Sequence, residues 1–188
     1  MAKIDNIYLM IKNYIDLARL AIEEYVKNGK IIALPEDLPN DLFGKSAGVF
    51  ISIHKKNPKK NGEALRGCIG TFLPTKNTIA QEIIDNAISA CSRDYRFSPI
   101  KKEELDNLEI SIDVLSEPEK VEDISTLDPK KYGILIKSQK DSRSGLLLPD
   151  LEGVNTIHDQ IAITLNKAGL KLNDPINIFR FSVERFKE

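Results

Sequence analysis

Residues 63–72 read EALRGCIGTF, and residues 47–54 shortly before them read AGVFISIH. In residues 49–54 two sets of side chains alternate. The first set is Val49, Ile51 and Ile53, and the second is Phe50, Ser52 and His54. A period of two residues is typical of a half-buried strand. The intervening KKNPKKNGE contains a proline and an Asn-Gly pair, which favour a turn. The two stretches therefore predict an antiparallel hairpin with a long basic tip.

The alternation also predicts which side chains share a face of this hairpin. If the isoleucines of the first strand face the core, Ser52 and His54 face the other way. On the return strand Leu65 and Ile69 should then face the core, while Arg66 and Cys68 face away from it. A turn centred near residue 60 would set Arg66 across from His54 and Cys68 across from Ser52. A bulge at Gly67 would change this pairing.

Cys68 has two interpretations. The thiolate is the reactive form of cysteine, and a nearby guanidinium such as that of Arg66 stabilises it. Gly67 and Gly70 lack side chains, so a ligand or another backbone could approach Cys68 closely. The functional interpretation is a nucleophilic or redox-active thiol assisted by Arg66. The alternative is a small apolar residue beneath a neighbouring element, with the glycines easing a bend.

The remaining pattern predicts three amphipathic helices and further strands. The first helix has apolar residues at helical spacing from Ile4 to Val26 and ends at Asn28-Gly29. A capping box begins the second, whose apolar stripe is Ala80, Ile83, Ile84, Ala87, Ile88 and Cys91. Strands are expected at 108–115, 132–138, 144–149 and 176–186, and the third helix at 155–169. We predict one α+β domain over residues 1–188, with a mainly antiparallel sheet.

Composition limits the classes of function. The chain has 27 Lys and Arg against 28 Asp and Glu, so its net charge of −1 gives no general attraction to nucleic acid. The basic tip of the hairpin contains Lys55, Lys56, Lys59 and Lys60. It has no interleaved aromatic residues, so nucleic acid is the least favoured class of partner. No apolar run approaches the roughly 20 residues that span a bilayer. The sequence predicts a protein without a membrane span.

The cysteine and histidine content argues against disulfides and metals. There are two Cys and two His, with no C-x-x-C pair. Their spacing matches no usual zinc pattern, so no metal site is predicted. Two cysteines make no disulfide framework, and we expect both thiols to be free in a reducing cytoplasm.

The segment RDYRF, residues 93–97, is a second candidate for function. Asp94 and Arg96 alternate with aromatic residues in an irregular stretch, where functional polar groups often lie. The alternative is an Asp–Arg pair that organises the turn before Ser98-Pro99. That Ser-Pro pair is suited to opening a short helical turn.

At LRGCIGTF the sequence resembles the AMMECR domain family. The resemblance continues through DLARLAIEEYV, SAGVFISI, ACSRDYRFSPI, EISIDVLSEPEKV, GLLLP, NKAGL and the final IFRF and ERF, in the family's order. The chain is similar to a free-standing, single-domain member. The resemblance implies an α+β architecture of two unequal lobes, with a main antiparallel sheet flanked by helices. It also implies that the signature segment lines a cleft.

The resemblance implies less about function. Family members have no settled activity, and they occur with or fused to Memo-like proteins and near radical-SAM enzymes, which become the expected partners. The first hypothesis is a small enzyme or enzyme subunit in which Cys68 and Arg66 are catalytic. Its substrate-binding residues would be Ser52, His54, Gly67, Gly70, Asp94 and Arg96. The alternative is a non-catalytic protein-interaction module that uses the same hairpin face. No cofactor is assigned.

This sequence also departs from the family pattern. Many bacterial members carry a tryptophan after GLLLP and a cysteine in the following helix. Here neither is present, and Thr164 to Asn166 lie near the position of that cysteine. A mechanism that needs the second thiol is therefore not expected in this chain.

Overall fold

The computed structural model describes residues 11, 13–34, 45–58 and 64–188. The chain divides into two compact units of unequal size. The first comprises Met1–Val114 and Arg185–Glu188, and the second comprises Leu115–Glu184. Both units contain an antiparallel sheet and helices, which confirms the predicted α+β class with two unequal lobes. Within the described ranges, no helix is long and apolar enough to cross a membrane.

The first unit is built on a four-stranded sheet flanked by two α-helices. The strands are β1 (Val49–Lys55), β2 (Leu65–Thr71), β3 (Leu108–Leu115) and β8 (Val183–Lys187), in the order β2-β1-β3-β8. The helices are α1 (Tyr14–Asn28) and α2 (Ile79–Ser92), and a 3-10 helix (Lys102–Asn107) precedes β3. β1 pairs antiparallel with both β2 and β3, so the predicted hairpin is confirmed.

The hairpin register confirms one predicted pair and corrects another. Ser52 lies opposite Cys68, as the alternation predicts. His54 lies opposite Leu65 and not opposite Arg66, because the register shifts between Ile53 and His54. The prediction that Leu65 faces the core is therefore wrong, and a β-bulge is the physical reason. Lys59, Lys60 and the predicted turn at 61–62 lie outside the described residues.

The core of the first unit lies between the helices and one face of the sheet. Every residue of the stripe predicted for α2 is buried. α1 ends as predicted, with Gly29 in the left-handed conformation at φ 66°. Its N-terminal cap is Asn13, whose side chain accepts a hydrogen bond from the Asp16 amide. The predicted stripe of α1 is buried at Ile11, Ala18 and Ile22, while Ile4 and Ile7 lie outside the described residues.

The second unit has its own sheet and core. Its strands are β4 (Glu119–Lys120), β5 (Gly133–Ser138), β6 (Ser144–Leu147) and β7 (Ile176–Phe181), in the order β4-β7-β5-β6. Helix α3 (Ile157–Ala168) contributes Leu165 and Ala168 to the apolar core. The predicted closing strand at 176–186 is two strands, because it is interrupted at Ser182 and its halves join different sheets. The hydrophobic pattern shows where strands occur but not which sheet each one joins.

Gly67 permits a close approach of α2 to the hairpin. It lies opposite Ile53, and a Cβ atom placed on it would overlap the backbone carbonyl of Ala90. The overlapping atom belongs to the backbone of a helix, so relief of the overlap requires a shift of α2 or β2.

We expect Gly67→Ala to lower the free energy of unfolding by about 3 kcal/mol, because the new methyl group overpacks the α2–β2 contact. Urea denaturation followed by circular dichroism measures this change. The control is Gly153→Ala, where the φ of +80° costs about 1 kcal/mol but no atom lies near the new Cβ. Equal losses in the two variants would contradict the proposed overlap.

Candidate functional site

Ser52 and Cys68 form the centre of the candidate site. The Ser52 hydroxyl donates a hydrogen bond to Cys68 Sγ at 3.2 Å, and both residues are half-buried. They lie on the face of the sheet opposite Ile51 and Ile53, which belong to the core. The predicted placement of Cys68 away from the core is consistent with this geometry.

Arg66 is buried and engaged within the fold. Its Nε and Nη2 donate to the two carboxylate oxygens of Glu104 at 2.8 and 3.0 Å. Nη1 donates to the Ser98 carbonyl at 2.7 Å and Nη2 to the Pro99 carbonyl at 3.3 Å. These contacts attach β2 to the segment before β3. The charge of Arg66 is therefore paired with Glu104, and the same hydrogen bonds lower the pKa of that carboxyl group.

Asp94 and Arg96 hold the backbone of Cys68. Asp94 Oδ2 accepts a hydrogen bond from the Cys68 amide at 2.8 Å, and Arg96 Nη2 donates to the Cys68 carbonyl at 3.1 Å. β2 is an edge strand, and these side chains occupy its outer hydrogen-bonding groups at Cys68. Because the amide and the carbonyl of Cys68 both point away from β1, Ser52 and Cys68 form the closer, non-hydrogen-bonded type of cross-strand pair.

Asp94 and Arg96 also pair with each other. Arg96 Nε and Nη2 donate to the two oxygens of Asp94 at 2.9 and 2.7 Å. Asp94 is nearly inaccessible, whereas the Arg96 side chain is 45% exposed. The alternative interpretation of RDYRF, an Asp–Arg pair that organises the turn, agrees with these contacts, and the pair also holds the signature strand. We call this arrangement the Asp94–Arg96 clamp. A role of Asp94 and Arg96 in binding a substrate stays a prediction.

The electrostatics of the clamp follow from these hydrogen bonds. The side-chain bonds from Arg96, together with the Cys68 and Arg96 amides, lower the pKa of Asp94 from 3.8 to about 2, against the opposing effect of burial. The pKa of Arg96 is raised, first by its hydrogen bonds to Asp94 and further by the negative charge of Asp94. Arg96 is therefore the arginine that contacts Cys68, through the Cys68 carbonyl, whereas Arg66 pairs with Glu104.

The space beside the two glycines of the signature is filled by the protein itself. A Cβ atom on Gly67 would meet the Ala90 carbonyl, and one on Gly70 would meet the ring of Phe50. The glycines therefore admit a helix backbone and an aromatic ring from the same chain. Of the two neighbours expected beside the glycines, a ligand or another backbone, a backbone is the one found at Gly67.

His54 and Cys91 contribute nothing to the sulfur of Cys68. Ser52 is the hydrogen-bond partner of Cys68 Sγ, and in the described part of the chain no histidine or carboxylate bonds to it. Cys91 is buried in the core as predicted, and burial raises its pKa to about 11. Neither cysteine forms a disulfide. Among the residues that the structure describes, no group of His, Cys, Asp and Glu is placed to hold a metal ion.

Sequence reasoning missed several residues around the site. Glu104 is the partner of Arg66, and its only sequence signal is its place in the turn opened by Ser98-Pro99. Glu82 is buried on α2 and accepts hydrogen bonds from the Thr71 hydroxyl at 2.5 Å and the Lys76 amide at 2.8 Å. Tyr95 is 95% exposed beside the clamp. A charged residue next to an apolar stripe, as at Glu82, gives little sign of burial in sequence alone.

Comparison with known proteins identifies the family. The sequence model of the AMMECR1 family matches residues 15–186. A Thermotoga maritima protein is 49% identical over 175 residues, which cover 93% of this chain and 97% of that protein. The crystal structure of an uncharacterized Pyrococcus horikoshii protein superposes with a TM-score of 0.82 at 35% identity, covering 93% of this chain and 89% of the other. The chain belongs to the AMMECR1 family.

A further relative differs in length. A Clostridium acetobutylicum protein is 42% identical over 176 residues, which cover 93% of this chain but only 36% of that protein. The AMMECR1 region is therefore part of a longer polypeptide in that organism.

We expect Asp94→Asn to lower the free energy of unfolding by about 1 to 3 kcal/mol at neutral pH, because a buried charged acceptor loses its pairing with Arg96. The pKa of Asp94 is depressed in the folded state, so its contribution is complete above the unfolded value of 3.8 and is lost as the pH falls toward about 2. The difference between wild type and variant should be constant above pH 5 or so and shrink below about pH 4. Denaturant titrations at several pH values measure it.

The second unit offers a matched control. Asp141 and Arg143 form a similar turn, but both side chains are 43% exposed. Asp141→Asn should cost less stability than Asp94→Asn, because exposed ion pairs contribute little. A loss for Asp141→Asn as large as that for Asp94→Asn would contradict the role assigned to the buried clamp.

Proposed function

We propose that this protein is a non-catalytic binding module, and that the surface around the signature strand binds a partner protein. The proposal rests on one observation, which is that the polar groups around Cys68 already form hydrogen bonds or an ion pair within the protein. The Cys68 amide is bonded to Asp94, its carbonyl to Arg96, and the Arg66 guanidinium to Glu104. A catalytic thiol requires a base and a donor for developing negative charge. Among the described residues no histidine or carboxylate bonds to Cys68 Sγ, and the polar groups named above are engaged within the fold.

The exposed part of the clamp has the chemistry of an interaction surface. Tyr95 is almost fully exposed, and Arg96 lies over the ring of Phe97 at 5.3 Å. Tyrosine and arginine are enriched among the residues that dominate binding energy at protein interfaces. Asp94 holds this turn in one conformation, which reduces the entropy lost on binding. The turn 94–97 is therefore the proposed centre of the contact surface.

Memo-like and radical-SAM proteins are the proposed partners. The family resemblance motivates them, because members occur with or fused to such proteins. The long Clostridium acetobutylicum relative supports the idea in a general way, since its AMMECR1 region is joined to further sequence. A domain that is covalently joined to other sequence in one organism and separate in another is suited to working in a complex.

The proposal is tested by binding assays with a purified Memo-like protein and a purified radical-SAM protein. We expect Tyr95→Ala to weaken binding about tenfold or more, because truncation of a central interface tyrosine commonly costs over 1.4 kcal/mol. Biolayer interferometry with each purified partner measures the change. The control is Leu172→Ala, which removes an apolar side chain that is 79% exposed in the second unit. Absence of wild-type binding to both partners, or equal effects of the two variants, would refute the proposal.

Thiol chemistry is the second candidate function, and a separate contact favours it. The Ser52 hydroxyl donates to Cys68 Sγ at 3.2 Å, and a donor of this kind stabilises negative charge on sulfur. Arg96 adds a nearby positive charge. A small enzyme or enzyme subunit would then use Cys68 as its nucleophile.

Alkylation of the folded protein separates the two functions. Cys91 is buried and its pKa is raised to about 11, so labelling at neutral pH by iodoacetamide measures Cys68. We expect Cys68 to react no faster than the thiol of a short unstructured peptide, and Ser52→Ala to leave the rate within about twofold. A rate at least about tenfold above the peptide, lost in Ser52→Ala, would favour the enzyme over the binding module. Mass spectrometry of tryptic peptides identifies the labelled residue.

A further inference from the structure

A cleft of about 860 Å³ lies beside the start of β2. Its walls are the end of β1, the first residues of β2 and the segment 96–107, all in the first unit. Cavities of this size are typical of sites for small molecules. The charged side chains that line it are Lys55, Arg66, Arg96, Lys101, Glu103 and Glu104.

The unpaired charges of the cleft are mainly positive. Arg66 is neutralised by Glu104, and Arg96 by Asp94 behind it. Lys55 and Lys101 form no ion pair with any residue that the structure describes, and neither does Glu103. Among the charged groups that line the cleft, two ammonium groups and one carboxylate therefore form no ion pair with a described residue. This excess of positive charge favours the binding of an anion.

Arg96 supplies directed hydrogen-bond donors. Its Nε and Nη2 are bonded to Asp94 and Cys68, whereas Nη1 donates to no acceptor within the described ranges. A guanidinium has five N–H groups in a fixed plane, so the bonds to Asp94 also fix the direction of the two N–H groups on Nη1. The side chain is 45% exposed and lines the cleft. Arg96 is thus preorganised to bind an oxyanion with little loss of side-chain entropy.

We propose that this cleft is a binding site for a small organic anion, whose carboxylate or phosphate group is held by Arg96 Nη1 and the ammonium groups of Lys55 and Lys101. Leu65 and Phe97 also line the cleft and provide apolar surface for the rest of the ligand. The site goes beyond the proposed protein-binding surface, and Tyr95 is not among the residues that line it. Titration with small anions and the Tyr95→Ala binding assay therefore report on the two proposals separately.

The probes are inorganic phosphate and succinate, each titrated into the protein at neutral pH and low salt. Two-dimensional amide NMR measures binding from the shifts of residues 96–104. We expect a dissociation constant of about 1 mM for the better probe, which identifies phosphate or carboxylate as the preferred group. Arg96→Gln should weaken binding about tenfold, because a charge-assisted hydrogen bond is lost. The affinity should also fall as salt is added.

Variants of exposed residues keep the test independent of folding. Lys101→Gln should weaken binding about threefold, and Glu103→Gln should strengthen it about threefold by removing the repelling carboxylate. The controls are Lys102→Gln, an exposed neighbour that does not line the cleft, and Arg143→Gln, the arginine of the similar turn in the second unit. Both controls should bind like wild type.

Three results would overturn the site. The first is no shift with either probe at about 10 mM, ten times the expected dissociation constant. The second is an equal loss in Lys101→Gln and Lys102→Gln, which would indicate non-specific attraction to surface charge. The third is unchanged or weaker binding in Glu103→Gln.

Discussion

The attachment of the segment after α2 to the edge strand β2 is the interaction on which the candidate site depends. β2 is the edge of the sheet formed by the described strands, and at Cys68 the side chains of Asp94 and Arg96 supply the acceptor and donor that a further strand would provide. At Arg66 the direction of bonding is reversed, because the side chain reaches from the strand to Glu104 and to two carbonyl groups. An exposed edge strand is a general hazard for aggregation. Here the Asp94–Arg96 pair satisfies that edge at Cys68, and it also fixes the turn that presents Tyr95.

Close packing on the opposite side of β2 makes this attachment possible. Gly67 brings the strand against the Ala90 carbonyl near the end of α2, and the turn 94–97 begins just after that helix. A side chain at position 67 would push the helix end outward and move Asp94 away from the Cys68 amide. The glycine and the clamp are therefore two parts of one constraint. Glu82 and Asn86, buried on the same helix, bond to Thr71 at the other end of β2 and hold the strand along its length.

These contacts change the meaning of the signature residues. A charged residue two positions from a cysteine suggests activation of the thiol. Arg66 instead forms a bidentate ion pair with Glu104 and stabilises the fold. The groups still available to a ligand or partner are those at the margin: the exposed ring of Tyr95, the Nη1 group of Arg96 and the ammonium groups of the cleft. The residues inside the signature are engaged in contacts within the fold, and the groups that remain available for binding belong to the residues beside it. This division is the physical basis for preferring binding over thiol catalysis.

Local sequence patterns were sufficient to predict the α+β class, the hairpin, the N-cap and apolar stripe of α2, the burial of Cys91 and the pairing of Ser52 with Cys68. These features depend on periods of two or 3.6 residues and on capping residues, which are local and act along a continuous stretch of chain. Three features came from the folded chain and not from any local pattern: the bulge opposite His54, the pairing of Arg66 with Glu104, and the hydrogen bonds of Asp94 and Arg96 to Cys68. A bulge breaks the strand period that the prediction assumes. These contacts join residues 26 to 38 positions apart, and such separations are bridged by packing of whole elements, which no local pattern records.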